Sequence, residues 1–280
     1  MTHGIDIFGD IHGEAGALRA GLASLGYERL GDVHRHPGGR RTLFLGDLID
    51  RGRDSRGVIA IVRPMLAAGE ALCILGNHEL NAVHWGVPRP DAPGLTMRGG
   101  SVAHRRQHGA FLAEYDGAPD ALATDRAWLA GLAPCLDLGG LRAVHACWDG
   151  AAADALLAAT TGGALTPAAW RDAGVPGTAL RAAVDTAIKG AEITLPHGAT
   201  FCDKDGNLRD AARLRWWEQA PRSWADAVIA PARGLRRDGC RAAAAAGRPL
   251  ARRRAGGVRP LLAGAAGRAA LADLAAGGMP

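Results

Sequence analysis

The sequence predicts a layered α/β fold, and three observations predict it. Short apolar, strand-like runs alternate with helix-like segments through the first half of the chain. Four compact polar words follow such runs: GDIHG at 9–13, GDLIDRG at 46–52, GNHE at 76–79 and VHACWD at 144–149. Each word therefore falls at a strand's carboxyl end, where open α/β sheets place their ligands.

The elements follow in order. His3–Phe8 reads as the first strand and Glu14–Leu25 as a helix with apolar residues on one face. Arg41–Leu45 is the second strand, Ser55–Ala67 a helix, Ala71–Leu75 the third strand and Leu141–Val144 the fourth. Between Asn77 and Leu138 lies a mostly helical insertion that includes Ala103–Tyr115 and Arg126–Leu132. A second helical stretch, interrupted by Gly and Pro, covers 151–189. The segment 201–217 reads as a hairpin around Asp205-Gly206 followed by a Trp-containing strand. Its DKDGN resembles a calcium loop only superficially, because the later acidic ligand is missing, and it is read as a turn. From 225 onward the text turns to Ala, Arg and Gly without period, the composition of a disordered or poorly packed tail.

A chain of 280 residues, 48% hydrophobic and 22% charged, can bury a full core. It has no run of 18 uncharged apolar residues and enters its first strand at once, so neither a membrane span nor a signal peptide is expected. The five Cys (73, 135, 147, 202 and 240) show no metal or disulfide spacing, which fits a reducing cytoplasm. The net charge of +5 is unevenly divided. Residues 221–280 hold eleven Arg, three Asp and no Lys, so the first 220 residues sum to −3.

The four words supply oxygen and nitrogen donors without a Cys cluster, which suits divalent Mn, Mg, Fe or Zn. Asp10 and His12, two apart at a strand end, can curl toward one ion through a Gly-flanked turn. Asp47 can hand one carboxylate oxygen to each of two ions, and Asn77 and His145 can serve the second. Two metals about 3.5–4 Å apart can activate a bridging water and stabilise the entering and leaving oxygens of phosphoryl transfer. His78, next to Asn77, can face the site without binding metal and act as general acid toward the leaving alkoxide. Asp50 can orient and charge-stabilise His78, and Arg51 offers a planar fork for two phosphate oxygens. Blander readings exist: a helix N-cap for Asp10 alone, a surface ion pair for Arg51. His84, His104, His108 and His197 have no partner spacing and are expected at the surface or in loops. Cys147 and the seven Trp are read as packing residues.

Together the words resemble those of the calcineurin-like metallophosphoesterases. More narrowly they are similar to the serine/threonine phosphatase and bacterial diadenosine tetraphosphatase branch, with its GDxHG, GDxxDRG, GNHE, HGG or HAG, and GH. The resemblance covers about residues 4–217. It implies a four-layer α-β-β-α sandwich and a metallophosphoesterase domain over 1–224, with helical insertions at about 85–138 and 151–189. By resemblance Asp10, His12 and Asp47 hold one metal, and Asp47, Asn77 and His145 the other. His78 and Asp50 then form the acid pair, and Arg51 grips phosphate. The expected function is hydrolysis of a phosphate ester by a di-metal-activated hydroxide, in a phosphoprotein, a dinucleoside polyphosphate or a small phosphomonoester. The expected cofactors are two divalent ions, Mn2+ first, with Fe/Zn or Mg as alternatives. The partner is a phosphorylated substrate, without membrane or nucleic acid, in the cytoplasm.

Two departures stand out. His145-Ala146-Cys147 replaces HGG or HAG, keeping the ligand but changing the adjacent backbone. The late Gly-His is missing: no His follows His197, and His197-Gly198 has the reverse order. Back-translation of Gly257–Leu262, read one nucleotide later, permits Val-Phe-Gly-His-Tyr-Trp. A single-nucleotide frameshift between about 225 and 255 accounts for the missing word, the Ala/Arg/Gly composition and the basic excess together. The last strands of the domain are then expected to be missing or altered. The alternatives are a pseudo-phosphatase lacking the last metal-binding His, or nucleic-acid binding through the Arg-rich tail. That tail lacks the aromatic interleaving of single-strand binders.

Overall fold

Three short parallel strands set the position of everything that follows. The computed structural model describes residues 4–99, 101–195, 199–202, 208–218 and 221–229. The chain divides into two units, Met1–Lys189 and Gly190–Pro280.

In the first unit, β1 (Ile5–Phe8) leads into α1 (Ala15–Ser24) and the hairpin β2 (Glu28–Leu30) and β3 (Val33–Arg35). Then come β4 (Arg41–Phe44), α2 (Ser55–Ala67) and β5 (Ala71–Cys73). The parallel sheet has the order β1-β4-β5. Parallel neighbours need crossovers, which the helical connections supply. Register decides the rest: Phe8 pairs with Phe44 and Phe44 with Cys73, so the three strands end level. GDIHG, GDLIDRG and GNHE thus start from one edge of the sheet.

Alternation along the strands covers both faces. Phe44, Ala71, Cys73 and Leu75 join the main core with helices α1 and α2, while Leu43 and Ile74 pack on the other side with Ala143 and Leu72. Helix α2 has the expected span, capped by the Asp54 carboxylate, which accepts from Gly57 N at 2.8 Å. The β2–β3 hairpin carried no clear alternation and was not foreseen.

Beyond β5 the unit continues with α3 (Asn77–His84), α4 (Val102–Ala113), α5 (Pro119–Ala130), β6 (Leu136–Asp137) and β7 (Arg142–Ala143). Helix α5 starts seven residues before the expected Arg126, because Pro119 suits a first helical turn. Strand β7 pairs antiparallel with β6. The stretch 151–189 holds α6 (Gly150–Ala158), the hairpin β8 (Thr160–Thr161) and β9 (Ala164–Leu165), α7 (Pro167–Gly174), α8 (Ala179–Val184) and a π-helical turn over Asp185–Lys189.

The second unit contains β10 (Glu192–Thr194), β11 (Phe201–Cys202), β12 (Leu208–Arg209), β13 (Ala211–Leu214), α9 (Trp224–Ala227) and β14 (Val228–Ile229). Strands β10, β13 and β14 form an antiparallel sheet, and β11 pairs with β12 around the expected hairpin. Its small core includes Leu195, Phe201, Ala212, Trp224 and Val228. Strand β13 stops at Leu214, so Trp216 and Trp217 lie beyond it, not within a strand. Residues 225–229 belong to α9 and β14, so the tail expected from 225 does not begin there. The DKDGN segment at 203–207, His197 and residues 230–280 lie outside the described residues.

Cys73, Cys135 and Cys147 are free and buried. Among the described residues no helix is long and apolar enough to cross a membrane.

Candidate metal centre

The loops after β1 and β4 are joined by backbone hydrogen bonds. Ile11 N and His12 N donate to Asp47 O at 3.0 and 2.9 Å, Gly13 N to Leu48 O at 2.8 Å, and Gly52 N to His12 O at 2.9 Å. The joint forces unusual backbone. Among the described residues, positive φ outside glycine occurs at His12 (48°), Asp47 (53°), Asp50 (69°) and Arg51 (67°), four site candidates. Such conformations persist only where the surroundings impose them, and they cluster at functional sites.

The third loop is held by a residue the sequence reading passed over. Glu79, fully buried, accepts from Asp47 N (2.8 Å), Leu48 N (2.8 Å) and Gly76 N (2.9 Å). It pins GNHE against GDLIDRG. Its place three residues after the helix N-cap, half of a capping box, was the signal available.

The donor atoms converge on Asp47. His12 Nε2 lies 3.5 Å from Asp10 Oδ2 and 3.7 Å from Asp47 Oδ2. His145 Nε2 lies 3.3 Å from Asn77 Oδ1 and 3.5 Å from Asp47 Oδ1. Tautomers follow from the opposite ring edges. His12 Nδ1 faces Ile49 O at 3.1 Å and His145 Nδ1 faces Leu45 O at 2.6 Å. Carbonyl oxygens only accept, so each neutral ring carries its proton on Nδ1 and turns a bare Nε2 toward the carboxylates. Lone pairs meeting at such distances without a proton between them repel, and a cation relieves that. His12 Nε2 is buried and has no hydrogen-bond partner. The donor chemistry and this orphaned atom fit a divalent ion.

Two donor groups share Asp47: Asp10, Asp47 and His145, and His12, Asp47 and His78. Burial, which outweighs the neighbouring Asp47 carboxylate, lowers the His12 pKa and favours its neutral, ligating form. Burial and the nearby Asp47 charge raise the Glu79 pKa despite its three N–H donors. The Glu79 shift reports the negative charge gathered at this centre, whereas the His12 shift reports its burial.

His78 and Asp50 meet as expected, at 2.6 Å between Nδ1 and Oδ2, both fully buried. His78 Nε2 then points toward Asp47 Oδ2 at 3.9 Å and has no hydrogen-bond partner. Burial pushes the His78 pKa down, but Asp50 and Asp47 overcome it, and the net shift is upward. Burial pushes Asp50 up, and its hydrogen bonds from His108 and His78 more than reverse this.

His108 is the second unforeseen group. It is not a surface residue: it is 2% exposed, and its Nδ1 lies 2.8 Å from Asp50 Oδ1. His84 is also buried, with Nε2 donating to Trp170 O at 2.9 Å. His108 lies 58 positions after Asp50, with no spacing by which to link the two. Arg51 is exposed beside the cluster, and the Asp10 side chain is 58% exposed. The structure therefore brings Asp10, His12, Asp47, Asn77, His78 and His145 together around one centre, with Asp50 behind His78.

Residues 4–125 match the calcineurin-like phosphoesterase family. The asymmetrical bis(5'-nucleosyl)-tetraphosphatase PrpE of Oceanobacillus iheyensis is 40% identical over 74 residues, 26% of this chain and 30% of that protein. Its counterpart in Halalkalibacterium halodurans is 42% identical over 73 residues, with the same shares. The match spans under a third of the length of these curated relatives. A crystal structure of a candidate diadenosine tetraphosphatase aligns with 47% of this chain and 44% of its own at 22% identity, with a TM-score of 0.27.

Proposed function

We propose that this protein, whose residues 4–125 match the calcineurin-like phosphoesterase family, hydrolyses phosphate esters at a two-metal centre, with His78 as general acid. The observation that carries the reading is the convergence of two bare imidazole Nε2 atoms on carboxylate and amide oxygens around Asp47. Asp10, His12 and Asp47 would hold one ion, and Asp47, Asn77 and His145 the other. Bound divalent ions supply an activated water and electrophilic stabilisation of the phosphoryl oxygens.

The protein's own groups do the rest. Ile49 O and Leu45 O fix the tautomers of His12 and His145. Arg51, exposed at the rim, binds two phosphate oxygens through its planar fork. His78, whose pKa Asp50 and Asp47 raise against the effect of burial, hands its Nε2 proton to the leaving oxygen. Asp50 keeps the His78 Nδ1 proton in place and balances the charge. The PrpE relatives favour a dinucleoside polyphosphate as substrate, ahead of a phosphoprotein or a small phosphomonoester. Mn2+ is the first metal to try.

The test strips the protein of metal, reloads it with Mn2+, Fe/Zn or Mg2+, and assays p-nitrophenyl phosphate, diadenosine tetraphosphate and a phosphoserine peptide. His78→Ala should lower turnover about 10²–10⁴-fold with bound metal per chain unchanged. Unchanged turnover in the variant would remove His78 from the mechanism. Absence of metal-dependent hydrolysis of all three substrates by the wild type would sink the reading as a whole.

A further inference from the structure

Asp50 is clamped on both sides. His78 Nδ1 approaches Oδ2 at 2.6 Å and His108 Nδ1 approaches Oδ1 at 2.8 Å. The three side chains are 0%, 1% and 3% exposed in the order His78, Asp50, His108. We propose that His108 is a positioning residue for the acid step, holding the plane of the Asp50 carboxylate and through it the ring of His78. The proposal rests on His78 being the general acid.

The physical case begins with the carboxylate. The terminal torsion of Asp is broad, so one hydrogen bond to one oxygen leaves the group free to swing. Donors on both oxygens fix its plane, and hence the direction in which His78 presents Nε2. Burial adds a second reason, because a buried acceptor without a donor is costly. His108 supplies the only side-chain donor to Oδ1 among the described residues.

His108 is itself held. Its ring stacks on Phe111 at 4.9 Å between centroids and lies against Trp85 at 5.0 Å. Phe111 is three residues along α4, on the same face. Asp50 needs such support, since its backbone sits at φ 69°, outside the region non-glycine residues favour. His108 comes from the helical insertion at 85–138, which would thereby reach back to the reaction instead of only bordering it.

Two substitutions separate positioning from packing. Asn places an amide N–H where His carries Nδ1–H, whereas Leu fills the space without a donor. His108→Leu should lower kcat about 10–100-fold, the range for lost outer-shell partners, with KM little changed. His108→Asn should recover most of that loss, and urea melts would check that both variants fold. Proton NMR of the Mg2+-loaded protein gives a readout independent of turnover. The downfield His78 N–H resonance should stay sharp in His108→Asn and broaden in His108→Leu. Wild-type kcat in His108→Leu, or an equally sharp His78 resonance there, overturns the proposal. Should the wild type hydrolyse nothing, the proposed function falls and the resonance comparison alone decides on His108.

Discussion

His84 shows how much a single side chain can owe to its surroundings. It closes α3, seven residues after Asn77, with its ring edge-on to Trp170 at 5.5 Å and 86°. Burial lowers its pKa to about 4 against the hydrogen bond to Trp170 O, and Arg181, Lys189 and Arg126 push the same way as burial. A depressed histidine pKa means that the folded chain binds fewer protons than the unfolded one below pH ~6.5. Stability should therefore fall as pH drops from about 6.5 to 4, by at most about 3 kcal/mol. His84→Gln keeps a donor for Trp170 O and should flatten that slope in urea melts of the metal-free protein. An unchanged slope would assign the loss to other groups. His78 has the opposite sign: its raised pKa contributes stability fully present below ~6.5 and lost as pH rises through the folded value.

At the scale of elements, the centre depends on how closely the GDLIDRG and GNHE loops approach. A Cβ on Gly76 would stand 2.3 Å from both Asp47 N and Asp47 Oδ1. Gly46, at φ 85°, faces Gly76 from the other side, and a Cβ there would meet Gly76 N at 2.3 Å. The atoms in the way at Gly76 are the Asp47 amide and the Asp47 and Glu79 carboxylates, buried groups held by their own hydrogen bonds, and at Gly46 they are all backbone. Gly76→Ala should thus cost about 2–4 kcal/mol and weaken metal binding, because the shift falls on Asp47. Gly16 provides the control: it lies in α1 with open space around its Cβ position. Gly16→Ala should stabilise the chain by about 0.5–1 kcal/mol. Paired urea melts and Mn2+ titrations of the two variants test the contrast. A Gly76→Ala protein as stable as wild type would mean that the loops can separate without loss.

For the whole molecule, the division at Lys189 and Gly190 matters as much as the charge division. The conspicuous basic excess lies in residues 221–280. No His follows His197 in this sequence, and the donors proposed for the two ions are Asp10, His12, Asp47, Asn77 and His145. We propose that a single-base frameshift replaced the natural continuation. Reading the gene from codon 220 to about 100 nucleotides past the stop should find one base whose insertion or removal restores Gly-His-Tyr-Trp. A confirmed frame, with the same tail in close relatives, would refute this. The second ion should then bind more weakly than the first in a Mn2+ titration.

Much of this was legible in the sequence, and for a local reason. Apolar runs ending in Asp, Asn or His fix both the strand and the residue that leaves it, so Asp10, Asp47 and Asn77 could be placed from the text alone. The helix Ser55–Ala67 was equally plain, since its cap and its apolar face lie within one segment. Where β13 ended and where α5 began were less so, because Trp216 suits a strand by propensity and Pro119 by position. Tertiary structure alone decided three things. It brought His108 onto Asp50 across 58 residues, joined Glu79 to the amides of Asp47 and Leu48, and turned the Nε2 atoms of His12 and His145 toward one point. Sequence carries donor chemistry and local periodicity, but a contact between distant segments depends on strand register and helix packing, and no spacing along the chain encodes that distance.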